Sequence, residues 1–250
     1  MLSGAEASRV QLLILTIGLL PHARCFGSAQ HDVFISKMVC NGRLFFFPSI
    51  FAAMDFSAPI VLENNRVRLR PLEIGDFEAL KAVAFDEELW RYTLTRGDDA
   101  VSLAAYVRQA LEAREQGLRY PFAIVDRRTG ALAGSTSYYN VSEADQRISI
   151  GYTWVGREYQ RTGLNRGAKH LLLSHAFGQL GCERVELETD SRNSKSREAM
   201  ARMGATEEGT LRSHRITQGG IRRDTVIFSI IKPEWSELRL SVFQEFEARG

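Results

Sequence analysis

Residues 147–180 read RISIGYTWVGREYQRTGLNRGAKHLLLSHAFGQL, and this stretch decides the fold. Ile148, Ile150, Tyr152 and Trp154 alternate, which predicts a strand with these four on one side. A polar turn follows, Glu158-Tyr159-Gln160-Arg161-Thr162-Gly163. Leu164, Ala168, Leu171 and Leu172 then recur at helical spacing, with Leu173, Ala176, Phe177 and Leu180 beyond. A strand that ends in a basic, glycine-containing turn and restarts as a helix forms an anion site. The first helical turn leaves backbone N–H groups without partners, and they carry the positive end of the helix dipole. Gly163 lets a phosphate come close to the backbone, and Arg161, Arg166 and Lys169 add positive charge around the mouth. The pyrophosphate of a nucleotide-like cofactor is the expected ligand, with Arg161 as its principal cation.

Outward from this stretch, the pattern is regular from Ile60 onward. Val67, Leu69 and Leu72 alternate with Arg66, Arg68 and Arg70, giving a strand stopped at Pro71. Asp76 is expected to cap a short helix through Ala84. An amphipathic helix is expected over 101–116, ended by Gly117. Strands follow at 120–126 and 131–141, on either side of a turn at 127–130. Beyond the central helix come a strand at 184–189, a helix at 194–203 stopped by Gly204, a hairpin of 205–215 with 224–231, and a C-terminal helix over 234–248. The order β-α-α-β-β-β-α-β-α-β-β-α is neither a regular βα repeat nor an all-β pattern, so the expected class is α/β with a mixed sheet and helices on its faces. A dinucleotide-binding fold is disfavoured, because G-x-G-x-x-G is absent.

Residues 1–53 are patterned differently. Leu12–Leu20 is an apolar run too short to span a bilayer, and Arg9 is the only basic residue before it. A signal-like or anchoring segment competes here with a simpler expectation. Patterned sequence begins directly after Met54, which makes Met54 the expected physiological start and 1–53 upstream translation. One domain is then expected over 54–250, with no membrane association and a cytoplasmic setting; an oligomer is compatible with it.

The chain has 250 residues and a formal charge of +2. Four basic and two acidic residues precede Met54, so the remaining body carries 28 of each sign. A neutral body argues against nucleic acid as the main ligand. Three cysteines (Cys25, Cys40, Cys182) and five histidines show no metal-ligand spacing, so no metal is expected. Cys182, at the end of the central helix, is read as structural.

Three local signatures resemble those of the GNAT superfamily of acetyl-CoA-dependent N-acyltransferases, most closely its ribosomal-protein N-terminal acetyltransferase branch. The first is Gln160-Arg161-Thr162-Gly163-Leu164-Asn165, similar to the family's Arg/Gln-x-x-Gly-x-Gly/Ala pyrophosphate loop, with Asn165 where the family often has Gly or Ala. The second is Asp190-Ser191-Arg192-Asn193-Ser194-Lys195-Ser196, followed by Met203-Gly204-Ala205. The third is Glu208-Gly209-Thr210-Leu211-Arg212, then Arg223-Asp224. The resemblance runs from Ile60 to Trp235.

It implies a mixed, largely antiparallel GNAT sheet flanked by helices, and acetyl-CoA as co-substrate. The acceptor would be a primary amine, either a protein N-terminus or a small molecule; the neutral body tilts the expectation toward a small one. Transfer is expected to be direct, in a ternary complex, because no cysteine sits in a nucleophile context. Tyr152, Thr153, Trp154 and Val155 would hold the acetyl carbonyl through backbone N–H groups, where the strand splays from its neighbour. Gly151 fits a bulge there, or alternatively packing beneath an aromatic ring. Gln160, Arg161, Thr162, Gly163, Leu164 and Asn165 would hold the phosphates, the short Asn165 side chain bonding N–H groups at the helix start. Asn193 and Ser196 would contact the pantetheine arm, with Ser196 able to protonate the departing sulfur; the alternative for Asn193 is plain helix capping.

The general base stays open. Some ribosomal-protein members carry a glutamate in the strand after Glu-Gly-x-x-Arg, where this sequence has Arg215 with His214 beside it. His214 suits the pH range, although a lone histidine near a hairpin is more often a surface residue. Tyr138 and Tyr139, otherwise packing groups, and the same-face pair Glu186 and Glu188 are the other candidates. The missing glutamate keeps a rival open, a non-catalytic acyl-CoA-binding module.

Overall fold

A computed structural model of the chain describes residues 36–40, 43–47, 54, 56 and 58–247. The chain divides into two compact units, 1–50 and 51–250. In the first, strands β1 (Ser36–Cys40) and β2 (Arg43–Phe47) form an antiparallel hairpin. The apolar run Leu12–Leu20 and the segment directly before Met54 lie outside the described residues. Among the described residues, no helix is long and apolar enough to cross a membrane.

The second unit is built on eight strands: β3 (Leu62–Glu63), β4 (Val67–Pro71), β5 (Arg119–Asp126), β6 (Leu132–Ser142), β7 (Arg147–Val155), β8 (Arg184–Asp190), β9 (Thr206–Ile216) and β10 (Arg222–Ile231). Their spatial order is β3-β4-β5-β6-β7-β8-β10-β9. Every neighbouring pair is antiparallel except β7 with β8. The one parallel pair requires a crossover connection, and α4 (Leu164–Gly178) supplies it. The remaining helices are α1 (Phe77–Ala84), α2 (Glu87–Trp90), α3 (Ala100–Glu115), α5 (Ser194–Arg202) and α6 (Lys232–Ser241). The expected mixed α/β sheet is what the chain forms.

Each face of the sheet has its own core. On one face, Leu164, Ala168, Leu172 and Ala176 of α4 pack with Val67, Leu69, Ile148, Ile150, Val185, Leu187, Phe228 and Trp235. On the other, Leu80, Val83, Trp90, Leu103, Tyr106 and Val107 from α1–α3 pack with Trp154. A leucine fully removed from water contributes about 1.5–3 kcal/mol, so the α4 stripe alone fixes that helix against the sheet.

Several boundaries differ from expectation for local reasons. Asp76 does not cap α1. Its carboxylate takes the Arg70 guanidinium at 2.8 and 2.5 Å and the Glu73 N–H at 2.9 Å. By contrast, Asp99 caps α3, accepting from the Val101 and Ser102 N–H groups. The C-terminal helix is shorter than expected: α6 ends at Ser241, and Gln244–Phe246 forms a single 3-10 turn. That turn seats Phe243 and Phe246 in the core beside His170.

The expected single face for Ile148, Ile150, Tyr152 and Trp154 is also corrected. Ser137 pairs with Gly151 and Ser135 with Trp154, so Thr136 faces two residues, Tyr152 and Thr153. Tyr152 adopts a left-handed φ of 49°. This bulge inserts one residue and inverts the alternation beyond it. Ile148 and Ile150 therefore belong to the α4 core, and Trp154 to the core under α1–α3.

Candidate functional site

The parallel pairing of β7 with β8 ends at Ile150–Leu187. Past that point the two strands carry no ladder between them, so the β8-facing backbone groups of β7 open onto a cleft. The bulge at Tyr152 bends β7 away at the same place. Two cavities meet here. An inner cleft is lined by Tyr139, Gly151, Tyr152, Thr153, Lys169 and Glu188, by Arg215 and Arg223, by the segment Tyr92–Thr95, and by Asn165, Asn193 and Ser196. A groove of about 690 Å³ joins it, sharing Tyr92, Thr153, Asn165, Asn193 and Ser196 and adding Trp154, Val155, Gln160 and Arg161.

The groove is basic. Arg91, Arg157, Arg161, Arg192 and Lys195 line it, against Asp86 and Glu88. Arg157 is held by Asp86 at 2.8 Å, and Arg192 by Asp190 at 2.6 Å, which leaves Arg161, Lys195 and Arg91 as its less committed cations. Arg161 sits at a left-handed φ of 60°, and Gly163 at φ 84°. A Cβ added at Gly163 would find its nearest neighbour, Glu245 Oε1, 3.9 Å away, so conformation rather than crowding requires glycine here. No side chain caps α4, and its first intrahelical bond runs from the Gly167 N–H to the Gly163 carbonyl at 2.8 Å. The N–H groups of residues 164–166 therefore have no partner within the helix.

The expected residues separate into three groups. Tyr152, Thr153, Asn165, Asn193 and Ser196 line the inner cleft, and Thr153, Trp154, Val155, Gln160, Arg161, Asn165, Asn193 and Ser196 line the groove. Thr162, Gly163 and Leu164 line neither cavity. Thr162 accepts from Arg66 and donates to the Tyr159 carbonyl, and Leu164 is wholly buried in the core. His214 is exposed on the edge strand β9 and lines neither cavity, whereas its neighbour Arg215 turns into the cleft.

The other candidates for a base also separate. Tyr138 is buried and donates to the Leu172 carbonyl, and burial raises its hydroxyl pKa far above the ordinary value. Tyr139 lines the cleft, with its ring over Gly151: a Cβ at 151 would lie 2.7 Å from Tyr139 Cε1. Burial, reinforced by Glu188, likewise raises the Tyr139 pKa, which keeps its proton in place. Glu186 is held by Arg184 at 2.9 Å and Arg147 at 3.7 Å, outside the cleft. Glu188 lines it, 3.6 Å from Arg215 and 3.9 Å from Arg223.

Two residues of α4 behave unlike their sequence expectation. Asn165 does not bond the helix N–H groups; its Oδ1 is buried with no partner in the protein. Lys169 is not at the mouth of the loop. It is 4% exposed, lines the inner cleft, and donates to Thr153 Oγ1 at 2.8 Å. Burial pulls its ammonium pKa down to about 7. Asn193 caps α5, its Oδ1 accepting from the Ser196 N–H at 3.1 Å, while the residue still borders both cavities. The Tyr92–Thr95 segment of the cleft wall carries no motif; only tertiary structure brings it there.

Unpartnered helix N–H groups and a basic groove ending at a strand splay suit an elongated polyanion, and the orphaned Asn165 Oδ1 suits a ligand that also carries a hydrogen-bond donor. The chain is 29% identical over 176 residues to the uncharacterized N-acetyltransferase YoaA of Bacillus subtilis, covering 69% of this chain and 97% of that one. It is 33% identical over 106 residues to B. subtilis YdaF, whose name provisionally marks it as a ribosomal N-acetyltransferase, covering 42% and 57% of the two. Its fold is similar to that of Mycobacterium smegmatis RimJ, solved in complex with CoA-disulfide, at a TM-score of 0.62 and 22% identity over 74% of this chain and 94% of that one. Residues 66–206, more than half of the sequence, match the acetyltransferase (GNAT) domain model, and the chain belongs to the GNAT acetyltransferase family.

Proposed function

We propose that this acyltransferase moves an acetyl group from acetyl-CoA directly to a primary amine, both substrates being bound at once. The observation that carries the reading is the junction of basic groove and inner cleft at the point where β7 and β8 stop pairing. Acetyl-CoA brings a thioester whose carbonyl carbon accepts the amine and whose thiolate leaves. The remaining work belongs to the chain.

Arg161, Lys195 and the N–H groups at the start of α4 bind the phosphates, and Asn165 Oδ1 and the Asn193 Nδ2 group, whose Oδ1 caps α5, are free to meet the pantetheine amides. Backbone N–H groups within 151–155 polarise the carbonyl, a task that needs donors fixed in advance. Ser196, at the groove–cleft boundary, hands a proton to sulfur. Glu188 accepts the amine proton, directly or through water. That demand is small for an α-amine, whose pKa near 8 makes deprotonation at pH 7 cost about 1.4 kcal/mol, against roughly 4.6 for a lysine side chain. A carboxylate base thus suits α-amines, in a free small molecule or at a protein N-terminus. Direct transfer is supported by Cys182, which is buried and whose thiol burial pushes up to about 11, far from a thiolate nucleophile.

The test mixes pure protein, acetyl-CoA and a pool of amines and follows free thiol. Amine-dependent thiol release is expected. Tight acetyl-CoA binding with no release across a broad pool would instead make the chain a cofactor-binding module.

A further inference from the structure

The inner cleft carries more positive charge than its own acids neutralise. Arg223 is buried and bonds Thr225 Oγ1 at 3.0 Å and the Tyr92 carbonyl at 3.4 Å, both neutral acceptors. Its nearest carboxylate in an ion pair, Glu188, is 3.9 Å away and is shared with Arg215 at 3.6 Å, neither within hydrogen-bond length. Asp190 acts on Arg223 through its charge but forms no ion pair with it, its oxygens being hydrogen-bonded to Arg192 at 2.9 and 2.6 Å. Behind the Tyr139–Tyr152 wall lies Arg119, also buried, stacked 4.0 Å from the Tyr152 ring centroid. It donates to Ser137 Oγ at 2.7 Å and Tyr106 Oη at 2.8 Å, and among the described residues no carboxylate pairs with it. Lys169 of α4 adds a third basic side chain to the cleft lining. Burial lowers the Arg223 pKa, as expected of a cation short of counter-charge.

An acceptor amine arrives mostly as an ammonium ion at neutral pH. A simple cation is poorly received by a cleft in which two arginines flank one glutamate. A molecule that brings its own anionic group meets complementary charge at both ends. Its ammonium approaches Glu188, and its anion approaches the guanidinium groups of Arg215 and Arg223, which offer planar, paired donors suited to a carboxylate.

We infer that the acceptor is a primary amine whose carrier bears a carboxylate a few bonds from the nitrogen, with Arg215 and Arg223 as the carboxylate subsite. This rests on the acetyl-transfer reading and specifies its second substrate. The same chemistry occurs in a free amino acid and at a peptide N-terminus whose first residue is acidic.

The full-length protein is assayed for acetyl-CoA-dependent thiol release with matched acceptors. One arm pairs methionine with methionine amide; the other pairs a peptide beginning with aspartate with the same peptide beginning with asparagine. Rates are expressed per unprotonated amine, so that the pKa difference within each pair does not count as recognition. A charge-assisted hydrogen bond predicts that the acid member is favoured about tenfold to a hundredfold in kcat/KM. Arg215→Gln should collapse that ratio toward one by raising KM for the acid member alone. The arm showing the preference identifies the source. Equal or reversed ratios in both arms, or a preference untouched by Arg215→Gln, would overturn the inference while leaving acetyl transfer standing. Absence of thiol release with every acceptor would count against acetyl transfer itself. The subsite is then read from thermal stabilisation: a shift from the acid members only, lost in Arg215→Gln, supports it, and equal shifts overturn it.

Discussion

Replacing Lys169 by methionine should make the protein more stable, and by an amount that depends on pH. The ammonium is buried, has one hydrogen-bond partner, Thr153 Oγ1, and sits in no ion pair among the described residues. Its pKa falls from 10.5 to about 7 on folding. The sign follows from linkage. The unfolded chain holds the proton more tightly, so this group opposes folding in full below pH 7, and the penalty is relieved as pH rises toward 10.5. At 1.36 kcal/mol per pKa unit, the penalty is about 4 kcal/mol at pH 7 and about 2 at pH 9, upper limits because water entering the cleft softens them. Methionine has similar length, no charge and good packing tolerance, and Thr153 keeps its hydroxyl partner Thr136 at 2.7 Å. Urea unfolding of both proteins at pH 7 and pH 9 measures the effect, and the difference between them cancels every other titrating group. The advantage of Lys169→Met should shrink by about 2 kcal/mol between the two pH values. An advantage that is constant with pH, or a variant less stable at pH 7, would refute the reasoning that a desolvated ammonium lines the cleft.

Other expectations concern the two substrates' sides of the site. Arg161→Ala should raise the KM for acetyl-CoA with little change in kcat, because the groove has other cations but none on the loop with the same freedom; titration calorimetry with CoA checks it. Gly163→Val places a β-branched residue at φ 84° and should cost about 1–2 kcal/mol of stability as well as weakening CoA binding, measured by thermal unfolding with and without CoA. Glu188→Gln should lower kcat, and rates should recover as pH rises and the amine loses its own proton, whereas His214→Ala should leave the pH–rate profile unchanged. Asn193→Ala removes the α5 cap and should cost about 1 kcal/mol, while Asn193→Asp restores the cap and its stability without restoring cofactor affinity.

The element order and the strand–turn–helix around Gly163 were legible because periodicity is local: alternation defines β7, and the leucine and alanine spacing defines α4. The bulge was not legible. Gly151 hinted at a close approach, but the inversion is made by Tyr152 at φ 49°, a conformation few tyrosines adopt and no propensity announces. Trp154 therefore went to the opposite face from the one its spacing suggested. A lysine on a helix reads as solvent-facing charge, yet Lys169 is buried. Its neighbours one turn on, Leu172 and Leu173, lie in the core, and Asn165 one turn back lines the same cleft, a pattern that marks an inward position. Among the base candidates, alternation correctly grouped Glu186 with Glu188, yet only tertiary pairing distinguishes them: Arg184 and Arg147 hold the first outside the cleft. The Tyr92–Thr95 wall depends on long-range packing that no local pattern encodes.

The measurement that bears most directly on the central claim is the mass of an amine acceptor after incubation with acetyl-CoA and the purified full-length chain, alongside the thiol released. The account predicts acceptor heavier by one acetyl group, matched mole for mole by free CoA, with the protein's own mass unchanged through the turnover. An acetylated protein that accumulates before product appears, or CoA bound firmly with no acetylated amine formed, would contradict it.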